Sequence, residues 1–189
     1  MDQSKKDRDD LYQYKLKDVY VKDARSGASF WYGEEWKRVN KCVFCDLNRR
    51  YVITELNGIV LTANVYPYID GHLMLIPREH RVYLKELTAN EWEAVRTLQY
   101  IAKKMLKELY GYKSMWVLYR EGGLGDESQK TVEHLHIHLL PYQEGLVEWN
   151  YNELKTSPFD TACDFRAKRK EMAVYYKRYM KKYVTPSTE

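Results

Sequence analysis

The chain has 189 residues, 44% of them hydrophobic and 31% charged, with a formal net charge of +4. That length suits one well-buried core and would cramp two independent domains. No apolar run approaches the roughly 18 residues a membrane span requires, and the charged opening, Met1–Asp10, lacks the apolar stretch of a secretory signal. The expectation is therefore a cytoplasmic protein with no membrane partner.

The mild basic charge suits an anionic partner without naming one. Three cysteines, two of them close together, make a poor disulfide framework. In a reducing compartment such a close pair is more often a metal or redox site.

Residues 1–40 read as an N-terminal arm. Its first ten positions are charged, and Phe30, Trp31 and Trp36 supply packing groups beyond them. The segment 41–145 reads as the main domain. Tyr51–Leu56 and Ile59–Asn64 are short strand-like runs joined by Asn57-Gly58, a strong hairpin signal. His72–Ile76 follows and stops at Pro77. Met115–Tyr119 and His134–Leu140 complete five candidate strands.

Between the third and fourth strands lies a helix. Thr88-Ala89-Asn90-Glu91 has the capping-box form. Trp92, Val95, Leu98, Ala102, Met105 and Leu109 then recur at spacings of three and four, predicting one apolar face. Gly111 supplies a stop.

The remaining segment, 146–189, carries a basic amphipathic helix over about Asp160 to Val184. Phe165, Met172, Tyr176, Tyr179 and Tyr183 fall near one stripe, and eight lysines and arginines from Arg166 to Lys182 cover much of the rest. Charge runs are ordinarily solvated faces, so nucleic-acid binding is an allowed but less favoured reading. Together these elements give an α+β class, with an antiparallel sheet, a long central helix and a C-terminal helical extension.

The chemistry sits in His134-Leu135-His136-Ile137-His138-Leu139-Leu140, which holds three of the chain's five histidines. On a strand, alternate residues share a face. The three imidazoles then line one side while Leu135, Ile137 and Leu139 enter the core. A neutral imidazole can attack phosphorus and carry a covalent phosphoryl group until an acceptor removes it, and a rigid strand positions it well. Alternating histidines on a strand can equally chelate a metal without turnover.

Cys42-Val43-Phe44-Cys45 is a C-x-x-C pair, able to grip one tetrahedral metal from a tight turn or to act as a redox dithiol. Cys163 reads as an ordinary small apolar residue.

The triad segment, taken with Asn64-Val65-Tyr66-Pro67-Tyr68-Ile69-Asp70-Gly71-His72-Leu73-Met74-Leu75-Ile76-Pro77, resembles the histidine-triad (HIT) family over about Cys42 to Pro141. The detail of those motifs looks most like the branch that splits diadenosine polyphosphates. The resemblance implies a HIT-like fold and a homodimer formed through the central helix and a strand. It implies a nucleotide hydrolase or transferase acting on a phosphoanhydride such as diadenosine tetraphosphate, with His136 as nucleophile and His138 contacting phosphate oxygens.

Asn64 would bind the ribose, and Thr131, at the end of the glycine-rich segment Gly122–Thr131, would contact the phosphate or the leaving group, with Lys130 beside it a further substrate-binding candidate. Zinc-bearing relatives imply a structural Zn²⁺ on Cys42, Cys45, His80 and His134. His72 is either a hydrogen-bonding support for the site or a turn residue.

Lys130 stands where many relatives carry Gln, and Arg120 lies near a position where many carry Asn. Those departures leave open a longer polyphosphate or another leaving group. The alternatives are a nucleoside phosphoramidase, an adenylate-removing enzyme acting on nucleic-acid ends, and a nucleotide-binding scaffold without turnover.

Overall fold

The computed structural model describes residues 42–121, 132–144 and 156–184. The N-terminal arm with Phe30, Trp31 and Trp36, the glycine-rich loop, Lys130 and Thr131 lie outside the described residues. The chain divides into two compact units, Met1–Gln143 and Glu144–Glu189.

In the first unit five strands form one antiparallel sheet. They are β1 (Val52–Leu56), β2 (Ile59–Ala63), β3 (Leu73–Pro77), β4 (Met115–Leu118) and β5 (Ile137–Pro141), in the spatial order β1-β2-β3-β5-β4. Asn57 and Gly58 both take positive φ, 44° and 78°. Two successive left-handed residues match the twist of the flanking strands, so the β1–β2 hairpin closes in two residues.

Helix α1 (Ala89–Tyr110) packs on one face of the sheet. Its start is the predicted capping box: Thr88 Oγ1 accepts from the Glu91 N–H at 3.2 Å, and the Glu91 carboxylate accepts from the Thr88 N–H at 2.7 Å. Its end uses Gly111, whose N–H donates to the Lys107 carbonyl while the Tyr112 N–H reaches that of Leu106.

The buried side of α1 differs from the predicted stripe. Ala94, Val95, Leu98, Ala102 and Leu106 face the sheet, whereas Trp92, Met105 and Leu109 are 50%, 40% and 66% exposed. The two alanines let the helix lie close to the strands, and the bulkier residues fall on its flanks.

The core therefore has two sides. Ile59, Leu61, Leu75, Leu135, Ile137 and Leu139 meet α1, as the alternation in the triad segment requires. Met74 and Ile76 of β3 point the other way and join Cys42, Phe44 and Val132. The histidines share that second side.

The second unit holds α2 (Pro158–Ala167) and α3 (Arg169–Tyr179), with a π turn at Met180–Val184. Ser157 caps α2 by accepting from the Asp160 N–H. The single helix expected over this region is broken at Lys168, whose ψ of 14° leaves the helical basin. No side chain of α2, α3 or the π turn is buried. Among the described residues no helix is long and apolar enough to cross a membrane.

Candidate functional site

The triad segment is only partly strand. β5 begins at Ile137, so His134 and His136 precede it on bent chain, and only His138 sits in the ladder, opposite Met74. The earlier stretch is held elsewhere: the Leu135 N–H donates to the Arg81 carbonyl at 2.6 Å. Alternation survives this departure from regularity. His134, His136 and His138 are 0%, 6% and 7% exposed, and all lie away from α1. Buried imidazoles need partners, and each of the three has a different set.

His134 turns to sulfur. Its Nδ1 lies 3.4 Å from Cys42 Sγ and 3.5 Å from Cys45 Sγ, and His80 Nδ1 lies 3.3 Å from Cys45 Sγ. All four ligand atoms fall within 4.8 Å of one another. A tetrahedral ion with bonds of about 2.3 Å to sulfur and about 2.1 Å to nitrogen separates neighbouring ligand atoms by roughly 3.6 Å. The observed spacings fit it.

The tautomer fits as well. His134 Nε2 is 2.9 Å from the Pro77 carbonyl, which can only accept, so Nε2 carries the proton and Nδ1 presents its lone pair to the sulfurs. Burial first, then the neighbouring Cys42 and Glu79, push the Cys45 thiol up to about 11 from its usual 9.0. Thiols in that state bind a cation only by giving up protons. Cys42, Cys45, His80 and His134 thus form a set that could bind a metal.

His136 turns to backbone. Its Nδ1 lies 2.7 Å from the His134 carbonyl oxygen and must donate to it. In the neutral ring the lone pair is then on Nε2. Phe44, in the turn between the two cysteines, sets its ring edge against His136 at 5.1 Å between centroids. The C-x-x-C turn thereby braces the middle histidine as well as supplying sulfur.

His138 turns to His72. The Tyr68 N–H donates to His72 Nδ1 at 3.1 Å, so the neutral His72 ring keeps its proton on Nε2. That atom lies 3.0 Å from His138 Nδ1 and donates to it. His138 is left with its proton on Nε2, as a donor. Asn64 belongs to the same chain of bonds: its Oδ1 accepts from the Tyr66 N–H at 2.9 Å, and its Nδ2 lies 3.2 Å from the His72 ring nitrogens. His72 is therefore bonded to the site and does more than start a strand.

Tyr68 was not singled out from sequence. Its ring stacks on His72 at 5.2 Å and meets His138 edge-on at 6.2 Å, and its hydroxyl accepts from Arg120 Nη2 at 2.9 Å. Phe44 and Tyr68 were both missed because each reads as an ordinary aromatic in a turn. The available signal was adjacency, one inside the C-x-x-C pair and one four residues before His72.

Residues 41–147, more than half of the chain, match the family model described as scavenger mRNA decapping enzyme C-term binding. The chain belongs to the histidine-triad family. An uncharacterized HIT-like protein of Mycoplasma genitalium is 27% identical over 65% of this chain and 88% of its own. An adenosine 5'-monophosphoramidase of Danio rerio is 25% identical over 61% of this chain and 74% of its own. A HIT family member from Bacillus subtilis shares the fold, with a TM-score of 0.56 at 17% identity over 68% of this chain and 96% of that one. Histidine-triad proteins are generally nucleotide hydrolases or transferases, and the α+β architecture described above is theirs.

Proposed function

We propose that this histidine-triad protein cleaves a nucleoside phosphoanhydride through a nucleotidyl intermediate on His136. The observation that carries this reading is the 2.7 Å contact between His136 Nδ1 and the His134 carbonyl, which leaves the attacking lone pair on Nε2. That nitrogen forms a bond to phosphorus while the bond to the leaving-group oxygen breaks and its electron pair departs with that oxygen. Water, or inorganic phosphate, then displaces the nucleotide, and the pair of the P–N bond returns to Nε2. His138 donates its Nε2 proton as a hydrogen bond to a non-bridging oxygen, where negative charge is shared in the transition state.

Asn64 and Thr131 are assigned to substrate binding on the family resemblance, and Lys130 on its charge beside Thr131. A zinc ion on Cys42, Cys45, His80 and His134 would be structural, since four protein ligands close a tetrahedral site. It would pin the C-x-x-C turn and the end of β3 to the catalytic segment.

A dinucleoside polyphosphate such as diadenosine tetraphosphate is the substrate this reading favours. The description of the matching family names mRNA decapping, and an mRNA cap is also joined through a polyphosphate bridge. The Danio rerio relative favours a second reading, cleavage of a P–N bond in a nucleoside phosphoramidate.

One assay separates the outcomes. Diadenosine tetraphosphate should give AMP plus ATP by asymmetric hydrolysis, or ADP plus ATP only when phosphate is supplied. His136→Ala should lower turnover by at least about a thousandfold with the fold and metal content intact. Unchanged turnover in that variant removes His136 from the mechanism.

A homodimer fits the same protein. Ile101, Met105 and Leu109 are exposed along one side of α1, and Val117 and Leu118 are exposed on β4, one of the sheet's two edge strands. Exposed apolar side chains on a helix and on an edge strand are what a second copy would cover. Light scattering should return twice the monomer mass, and Leu109→Glu should shift it toward the monomer. A monomeric parent protein rejects the dimer.

A further inference from the structure

Arg120 lies two residues beyond the end of β4, where regular pairing stops. The β4–β5 register runs Met115 with Pro141, Trp116 with Leu140, Val117 with Leu139 and Leu118 with His138. The last pair sets Leu118 opposite His138, so β4 runs out beside the third imidazole and Arg120 follows two residues on. Directly opposed residues share a face, so the exit of β4 lies at the face of the imidazoles. Tyr68 supplies independent support. Its hydroxyl holds the Arg120 guanidinium at 2.9 Å, and its ring lies on His72 and against His138. Two elements, the exit of β4 and the turn before β3, thus converge to hold a permanent cation on Tyr68, whose ring touches His72 and His138.

We infer that Arg120, positioned by Tyr68, reads the charge of the leaving group and selects phosphoanhydrides over phosphoramidates. The inference rests on the proposed transfer to His136 and names its substrate class. When a phosphoanhydride is attacked, the electron pair of the breaking P–O bond moves onto the bridging oxygen, and the leaving polyphosphate gains negative charge. A guanidinium there stabilises that charge, and its planar fork matches two phosphate oxygens. When a phosphoramidate is attacked, the pair moves onto nitrogen, which must take a proton to leave as an amine. A neighbouring cation disfavours the protonated nitrogen and gives no return.

The test compares kcat/KM for diadenosine tetraphosphate and adenosine 5′-phosphoramidate in the full chain. Arg120→Gln should lower the rate on the polyphosphate by about a hundredfold and leave the phosphoramidate rate unchanged or raised. Arg120→Lys should recover part of the loss, and Tyr68→Phe should show a smaller change of the same kind. Melting temperature and metal content should match the parent protein.

An equal fall on both substrates makes Arg120 structural and overturns the inference. So does an unchanged ratio between them. Parent protein that turns over neither substrate overturns the underlying reading and this one together, a result distinct from either of those.

Discussion

His134 and His138 stand four residues apart on one segment, both buried and both on the side of the sheet away from α1. Their neighbours separate them. His134 lies among Cys42, Cys45 and His80 with its Nε2 proton on the Pro77 carbonyl, so it offers Nδ1 as a lone pair. His138 accepts a hydrogen bond at Nδ1 from His72 and so offers Nε2 as a donor. One residue type thus serves opposite purposes, and the choice is made by the partner on the far side of each ring, an acceptor for His134 and a donor for His138. His136, between them, takes its orientation from a backbone carbonyl. Spacing puts the imidazoles on one face, but the second partner of each ring decides what that imidazole can do.

The largest way to break this contrast is to remove the sulfur half. Cys42 is buried and Cys45 is nearer the surface. Cys42→Ser should abolish stoichiometric zinc binding, lower the melting temperature by many degrees and reduce turnover with it, because a structural zinc contributes directly to folding. Phe44 would lose its anchor beside His136 at the same time. Metal content by mass spectrometry and a melting curve check this. Parent protein purified without metal, and unchanged by added zinc, would make the thiol–imidazole cluster a packing feature.

How much of this contrast was legible beforehand follows from which contacts are local. The hairpin at Asn57-Gly58, the box at Thr88–Glu91 and the stop at Gly111 each depend on a few adjacent residues, and each stands where the chain announced it. The four thiol and imidazole groups were grouped by resemblance, and they do converge.

The buried side of α1 was harder to read. Large apolar residues outweigh alanine in any periodicity count, while close packing on a sheet prefers the alanine. The break at Lys168 has no glycine or proline to mark it. The partners of His72, His136 and His138 come from three separate places: the turn at Tyr68, the backbone of His134 and His72 at the entry to β3. No spacing rule encodes such tautomers, because they depend on what folding brings to the second nitrogen.

A smaller change sharpens the other half. His72→Phe keeps an aromatic ring under Tyr68 but removes the donor to His138 Nδ1. The His138 proton is then no longer held on Nε2, and the ring can offer a lone pair where the phosphate oxygens need a donor. We expect kcat to fall about 10- to 100-fold, with KM changed little and the zinc content of the Cys42–Cys45–His80–His134 set unaltered. His72→Gln, whose amide can reach toward His138 as a donor, should recover part of kcat. Loss of zinc in His72→Phe would mean that the two halves are one cooperative structure. Equal rates in all three proteins would mean that His138 needs no support from His72, and the tautomer chain from Tyr68 would carry no catalytic weight.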